Sequence, residues 1–442
     1  MQGEKKREMT QCSLPLGTQS LFDQVCYPNT LIDAFLEVRK NKGSHGSDNI
    51  TIQQFESELE KELLQLIDEL QSWTYKPKPV RRVEIPKPDN KGVRILGVPC
   101  VRDRVVQTAI KMVLEPELDP SFSYYSFGFR PGKSQQQAVE SARQQVAQGK
   151  EFVVDIDLSK FFDRINHDRL IAKLSHVIDD KRILRLIGMT LRSGAMKGDT
   201  FIPTETGTTQ GSPLSPLLSN FVLDELDKEL ENRGLSFARF ADDCNIFLHS
   251  RKAADRVMKS ISAFIEKRLK LVINHDKSQV AKANKVKFLG LTIINGTIAI
   301  SKQAMTKALN KVKELTPRGT NKTTEKTIKE YNQWFVGWVG YFGMTYYPAQ
   351  IAKIEARFRR RMRSRIVGQQ KRRRHLYSTL IKRGVKPKTA AKAAFSNNKR
   401  WKLSTQKAIE RAFPNKWFTQ RGMVTKSQDN REHWFSLAYW YV

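Results

Sequence analysis

Apolar positions first recur at helical spacing over residues 30–39, with Thr30 as a candidate N-cap, and again over 51–72, a Glu-rich amphipathic stretch. Between them, 41–49 is a turn-rich loop holding Gly43 and Gly46. Residues 80–99 read as two strands joined by a basic, Pro/Gly-rich turn. Helical spacing returns over 101–116, where Pro116 is expected to end the helix. Residues 151–163 form an apolar-acidic strand running into a helix, and 201–231 a Gly/Pro turn followed by a long helix. Residues 236–249 read as a hairpin turning at 241–243, 262–281 as a helix followed by a strand, and 285–293 as a strand. Beyond about residue 303 the pattern is helical and basic, with no strand-like run. The predicted class is α+β: a mixed core with acids at strand ends, followed by a basic helical region.

Charge sharpens this division. The 442 residues carry a formal net charge of +32. Residues 351–442 hold 25 lysines and arginines against four acids, which leaves only +11 to the first 350. Such a balance suits a polyanionic partner, because each neutralised phosphate releases counterions. The four cysteines are scattered without CxxC spacing, so neither a zinc site nor a disulfide framework is expected. No 18-residue apolar run and no apolar leader region occurs, and a cytoplasmic protein with no membrane partner is the expectation.

Two apolar strand contexts contain acids: Asp155 and Asp157 in VVDIDL, and Asp242–Asp243 between RF and CNIFL. A carboxylate within an apolar run is costly unless paired or metal-bound. Two such sites point to one shared metal site, of the kind that two-metal phosphoryl transfer requires. A pair of turn aspartates capping backbone amides is the plainer alternative for Asp242–Asp243.

FADD inside a hairpin, preceded by VDIDLSKFFD and TQGSPLSPLLSN, resembles the group II intron reverse transcriptases and maturases, from about residue 30 to 345 and more loosely beyond. The resemblance implies a right-hand polymerase: an N-terminal extension and template lid in 1–60, fingers in 61–145, palm in 146–300, an α-helical thumb in 301–380 and a basic nucleic-acid-binding tail in 381–442. It implies RNA-templated DNA synthesis with two Mg²⁺ ions, Mn²⁺ substituting, held by Asp157, Asp242, Asp243 and the backbone carbonyl of Leu158. Asp155 is expected to be structural. Family members usually carry Tyr where this chain has Phe240.

Further roles follow from the same resemblance. Lys87 and Arg94, flanking the turn in IPKPDNKGVR, are expected to hold the triphosphate of the incoming dNTP. Phe162 is expected to exclude a ribose 2′-OH, and Gln210 and Arg130 to contact nucleotide or template. Gly211 allows close backbone approach. Lys277 is expected to protonate the departing pyrophosphate. Phe288–Gly290 resembles a primer-grip strand, and YNQWFVGWVGYFG (331–343) the maturase thumb. Arg359, Arg360, Arg361, Arg363, Lys371, Arg372 and Arg373 are expected to contact nucleic-acid phosphates. The implied partners are an RNA template, intron RNA, a DNA primer or target and dNTPs. No nuclease, integrase or RNase H block is recognisable. A domesticated enzyme of repair or phage defence, and an RNA-binding splicing cofactor without polymerase activity, are the competing readings.

Overall fold

A computed structural model describes residues 20–86 and 92–426. The chain divides into two units, one comprising 1–133, 156–244 and 256–279, the other 134–155, 245–255 and 280–442.

The first unit is built around the helix Val101–Leu118, whose Val101, Val105, Ala109, Ile110 and Leu114 are fully buried. Helix Pro28–Lys40 packs on it through Leu31, Ala34, Phe35 and Val38. That helix begins earlier than the expected Thr30 cap, because Pro28 occupies its first turn, where a missing N–H costs nothing. The stretch 51–72 is two helices, Ile52–Ser57 and Leu59–Gln71. Thr51 and Gln54 close a capping box at the start, and Glu58, at φ −120°, breaks the continuity. Helix Val101–Leu118 runs through Pro116 rather than ending there. The proline lies in the last turn, so only the carbonyl four residues back loses its partner.

Strands β1 (Val80–Pro86) and β2 (Val93–Val98) pair antiparallel, from Arg81 with Val98 to Pro86 with Val93. They share a sheet of order β2-β1-β4-β5 with β4 (Ala195–Lys197) and β5 (Thr200–Ile202). β3 (Phe152–Ile156), β6 (Ser236–Phe240), β7 (Asp243–Leu248) and β8 (Gln279–Lys282) form a second sheet, in the order β6-β7-β3-β8. The expected helix after β3 is only a short 3₁₀ turn, Phe161–Arg164.

In the second unit, β9 (Leu291–Ile294) and β10 (Thr297–Ile300) make a hairpin through Asn295–Gly296, both at positive φ. The expected strand 285–293 is therefore interrupted. Leu289 and Gly290 also have positive φ, and Phe288 and Leu291 exchange two 2.9 Å backbone hydrogen bonds around them. The segment expected to act as a primer grip is thus a tight turn. Helices Lys302–Leu315, Thr324–Phe342 and Pro348–Gln369 follow. Their core is an aromatic stack in which Tyr331 lies 5.0 Å from Phe335 and 4.0 Å from Phe358. Shorter helices complete the unit, and among the described residues no helix is long and apolar enough to cross a membrane.

Candidate active site

β3 drives buried Val153, Val154 and Ile156 into the sheet and ends there, so Asp157 stands just past the strand rather than within it. Its backbone is held on both sides by one loop. Asp157 N–H donates to Ser278 Oγ (3.0 Å), Asn274 N–H donates to Asp157 O (2.8 Å) and Ser159 N–H donates to Val272 O (2.7 Å). Leu158 is buried and bridges Ile273. Lys277, on the same loop, places Nζ 3.8 Å from Asp157 Oδ2.

The second carboxylate position comes from the β6–β7 turn. Ala241 takes φ +56°, and this reversal presents Asp242. Burial raises the pKa of the Asp242 carboxyl and the Asp157 charge adds to the rise; Arg94 and Arg239 oppose it. Asp157 and Asp242 therefore lie within electrostatic reach of one another. Among the described residues, no three Asp, Glu, His or Cys side chains gather into a group that could hold a metal ion. The donors are hard oxygens whose charges repel, a set suited to a hard divalent cation.

What fixes this turn is a buried network that sequence reasoning missed. Arg239 is completely buried. It donates from Nε and Nη2 to both oxygens of Asp227 (2.7 and 2.5 Å), from Nη1 to Asn220 Oδ1 (3.1 Å) and from Nη2 to Ser126 Oγ (2.7 Å). A further bond runs from Nη1 to the carbonyl of Ala241 itself (2.9 Å). Asn220 Nδ2 then donates to Gly128 O (2.8 Å). The signal was present. Arg239 shares the parity of Phe237 in a strand, and Asn220, Leu223 and Asp227 fall on one helical stripe.

Gly128 packs directly on the turn, and a Cβ there would lie 2.3 Å from Ala241 N. Backbone on backbone cannot yield. Gly128→Ala is expected to cost about 1–3 kcal/mol through overpacking, read as a lowered urea midpoint, with reduced primer extension at temperatures where the variant is still folded.

The remaining expected residues divide. Arg94, on β2, is exposed, and its charge reaches Asp242. Lys87 lies outside the described residues. Phe161 is core, while Phe162 is half-buried and meets it edge-on at 5.2 Å. Gln210 is half-buried, and its carbonyl accepts Gly97 N–H at 2.9 Å. Gly211, at φ +114°, brings its backbone against the Gly97 carbonyl.

Arg130 is a correction. Only 6% of its side chain is exposed, and it donates to both oxygens and the backbone carbonyl of Asp119 and to the carbonyls of Ser123 and Ser126. It organises its own loop rather than presenting itself to a nucleotide. Arg363 is a second: it is buried and donates to Phe413 O (2.8 Å) and Asn415 Oδ1 (3.0 Å), so it serves the helix bundle and not a phosphate. Arg359 pairs with Glu355 (3.4 Å), Arg360 lies 4.0 Å over the Trp401 ring, and Arg361 donates to Thr316 and Lys313 carbonyls. Lys371, Arg372 and Arg373 are exposed.

Residues 85–293 match the family model for reverse transcriptase (RNA-dependent DNA polymerase), and 305–383 match the maturase-specific domain of group II introns. Protein YkfC of Escherichia coli K12 is 32% identical over 309 residues, covering 61% of this chain and 81% of that protein. Group II intron-encoded protein LtrA of Lactococcus lactis subsp. cremoris is 32% identical over 219 residues, covering 50% of this chain and 36% of LtrA. Among solved structures, a partial Cas6-RT-Cas1–Cas2 complex is 28% identical with TM-score 0.37, covering 58% of this chain and 46% of that one. The class is reverse transcriptase, an RNA-directed DNA polymerase. Within it, the chain belongs to the group II intron-encoded family, with a maturase-specific domain following the polymerase domain. It spans about a third of LtrA and about four-fifths of YkfC.

Proposed function

We propose that the chain extends a DNA primer along an RNA template at a site made by Asp157, Asp242 and Asp243. The observation that carries this is the facing of Asp157, at the end of β3, and Asp242, in the β6–β7 turn, within a chain whose residues 85–293 match reverse transcriptases. These aspartates, with the carbonyl of Leu158, would hold two Mg²⁺ ions, for which Mn²⁺ substitutes. When bound, such ions supply positive charge at the attacking 3′ oxygen and the triphosphate.

The chain's own groups do the rest. Arg94 neutralises the triphosphate, as does Lys87. Phe162 packs under the incoming sugar and excludes a 2′-OH. Gln210 hydrogen-bonds beside the nucleotide. Lys277 delivers a proton to the departing pyrophosphate. The maturase-specific match over 305–383 supports intron RNA as a further partner, bound to assist splicing and mobility in the bacterial cytoplasm.

Primer extension on an RNA template with dNTPs and Mg²⁺ tests the reading. Full-length cDNA is the expected product. Absence of product from a protein that still binds RNA tightly would instead support the splicing-cofactor reading. For the basic region, Lys371→Gln with Arg372→Gln is expected to lower the slope of log K against log salt by about 1.4 to 1.8, as two phosphate contacts are lost. Fluorescence anisotropy over a salt series measures it, and an unchanged slope removes these residues from the interface.

A further inference from the structure

Within the second unit, a cavity of about 360 Å³ lies between the end of helix Lys302–Leu315, helix Pro348–Gln369 and the short helix Arg400–Leu403. Six cationic side chains line it: Lys313, Arg318, Arg357, Arg361, Arg365 and Arg400, and no acid does. Arg357, Arg361 and Arg365 recur every four residues, which places them on one stripe of their helix. The alternative faces of that helix are treated differently. Arg359 pairs with Glu355 at 3.4 Å, and Arg363 lies 3.8 Å from Glu410. None of the six cavity cations makes an ion pair with an acid among the described residues.

These cations are not simply idle in water. Arg361 spends its guanidinium on Thr316 and the carbonyls that end helix Lys302–Leu315. Arg365, only 5% exposed, donates to Thr327 Oγ1 (3.0 Å) and Lys322 O (2.7 Å). The buried Nε atoms of Arg357 and Arg365 have no partner. Arg357 lies 4.9 Å over the ring of Trp401, which closes one wall. Burial lowers the pKa of Arg361, and the charges of Arg357 and Arg318 lower it further, as expected where like charges crowd without an anion. Neutral carbonyls orient this cluster but leave its charge uncompensated.

We infer that this cavity is a phosphate-binding pocket that takes consecutive backbone phosphates of a single-stranded RNA segment. The inference rests on the nucleic-acid-binding reading above and deepens it. A cavity of about 360 Å³ admits a strand end or an unpaired nucleotide unit, whereas an RNA duplex would lie across its mouth. Planar guanidiniums grip phosphate oxygens in pairs, and here they are already positioned by their own hydrogen bonds.

Lys313 and Arg318 are exposed, so their replacement spares the fold. The test compares three proteins with the wild type: Lys313→Gln/Arg318→Gln, Arg357→Gln, and a control, Lys353→Gln/Lys388→Gln, in which exposed lysines outside the cavity lining lose the same charge. Affinity for a short, unstructured 5′-labelled RNA is read by anisotropy across a salt series. The pocket variants are expected to lose at least tenfold in affinity more than the control. The double pocket variant is expected to lower the salt slope by about 1.4, two single-strand contacts. Inorganic tripolyphosphate should compete with RNA on the wild type and lose that competition on the pocket variants. Equal losses in pocket and control variants would overturn the pocket. Tripolyphosphate binding without any RNA effect would also overturn it, assigning the cavity to a small free polyphosphate. Primer extension by the wild type is scored separately, so failure of the pocket and failure of the polymerase reading give different results.

Discussion

Asp242→Ala is expected to abolish cDNA synthesis while leaving RNA affinity within about twofold. Asp242 sits at a hairpin turn, where its carboxyl is raised by burial and by the facing Asp157 charge, with Arg94 and Arg239 as the compensating cations. Removing one carboxylate relieves that repulsion, so the fold should gain rather than lose. Catalysis should fall by roughly 10³ or more, since metal charge stabilisation is worth several kcal/mol and each 1.36 kcal/mol is tenfold in rate. The measurement is single-turnover primer extension beside RNA anisotropy, with a thermal melt as the control. Residual synthesis above about a hundredth of wild type would remove Asp242 from the site. A melt shifted downward would mean that the residue is held for structure, as a turn aspartate capping backbone amides.

The second large effect belongs to Arg239. Arg239→Met leaves Asp227 ionisable in a fully buried place, and breaking one member of such a pair costs about 3–5 kcal/mol. It also removes the donor on the Ala241 carbonyl, so the Asp242 turn loses its anchor. Guanidinium unfolding should show the full loss. In Arg239→Met/Asp227→Leu most of the stability is expected to return, because the uncompensated charge is gone. Synthesis should not return with it, because no side chain then bonds Ala241 O. If stability and synthesis recover together, the network supports the fold and does not position the turn.

Much of this architecture was legible from residue pattern. The β1–β2 pair, the strand ahead of Asp157 and the FADD hairpin follow from alternation and turn chemistry. What escaped has physical causes. Pro116 looks like a stop, but a proline in the last turn of a helix forfeits only one bond. Phe288–Gly290 reads as strand because its residues are apolar, yet the backbone reverses at Leu289 and Gly290. Asn295–Gly296 was a readable hairpin signal.

The arginines show the same difficulty in the site. Arg130, Arg239 and Arg363 look alike in sequence to surface phosphate binders, but each is turned inward onto carbonyls or acids. Net charge reports how many cations there are, not which way they face. Spacing helps only in part: Arg357, Arg361 and Arg365 share a four-residue stripe, but Arg359 and Arg363 are spaced the same way in that helix. Asp157 and Asp242 stood out because acids in apolar strand contexts are costly, while Arg239, whose charge opposes the rise at Asp242, was passed over as one more arginine.

The Arg239 network has a consequence for how the enzyme can fail. Its five side-chain bonds tie a helix, a strand and the 123–130 loop to the β6–β7 turn that carries Asp242. A turn anchored in this way cannot fray by itself, because opening it strands a guanidinium and a carboxylate together in the interior. The proposed active site therefore belongs to the most cooperative part of its unit rather than to the softest. On heating or in denaturant, competence and tertiary structure should vanish in one transition, with no folded but inactive species between them. Selection for a faster or hardier enzyme would then act on the same few atoms, those of residues 126, 220, 227 and 239.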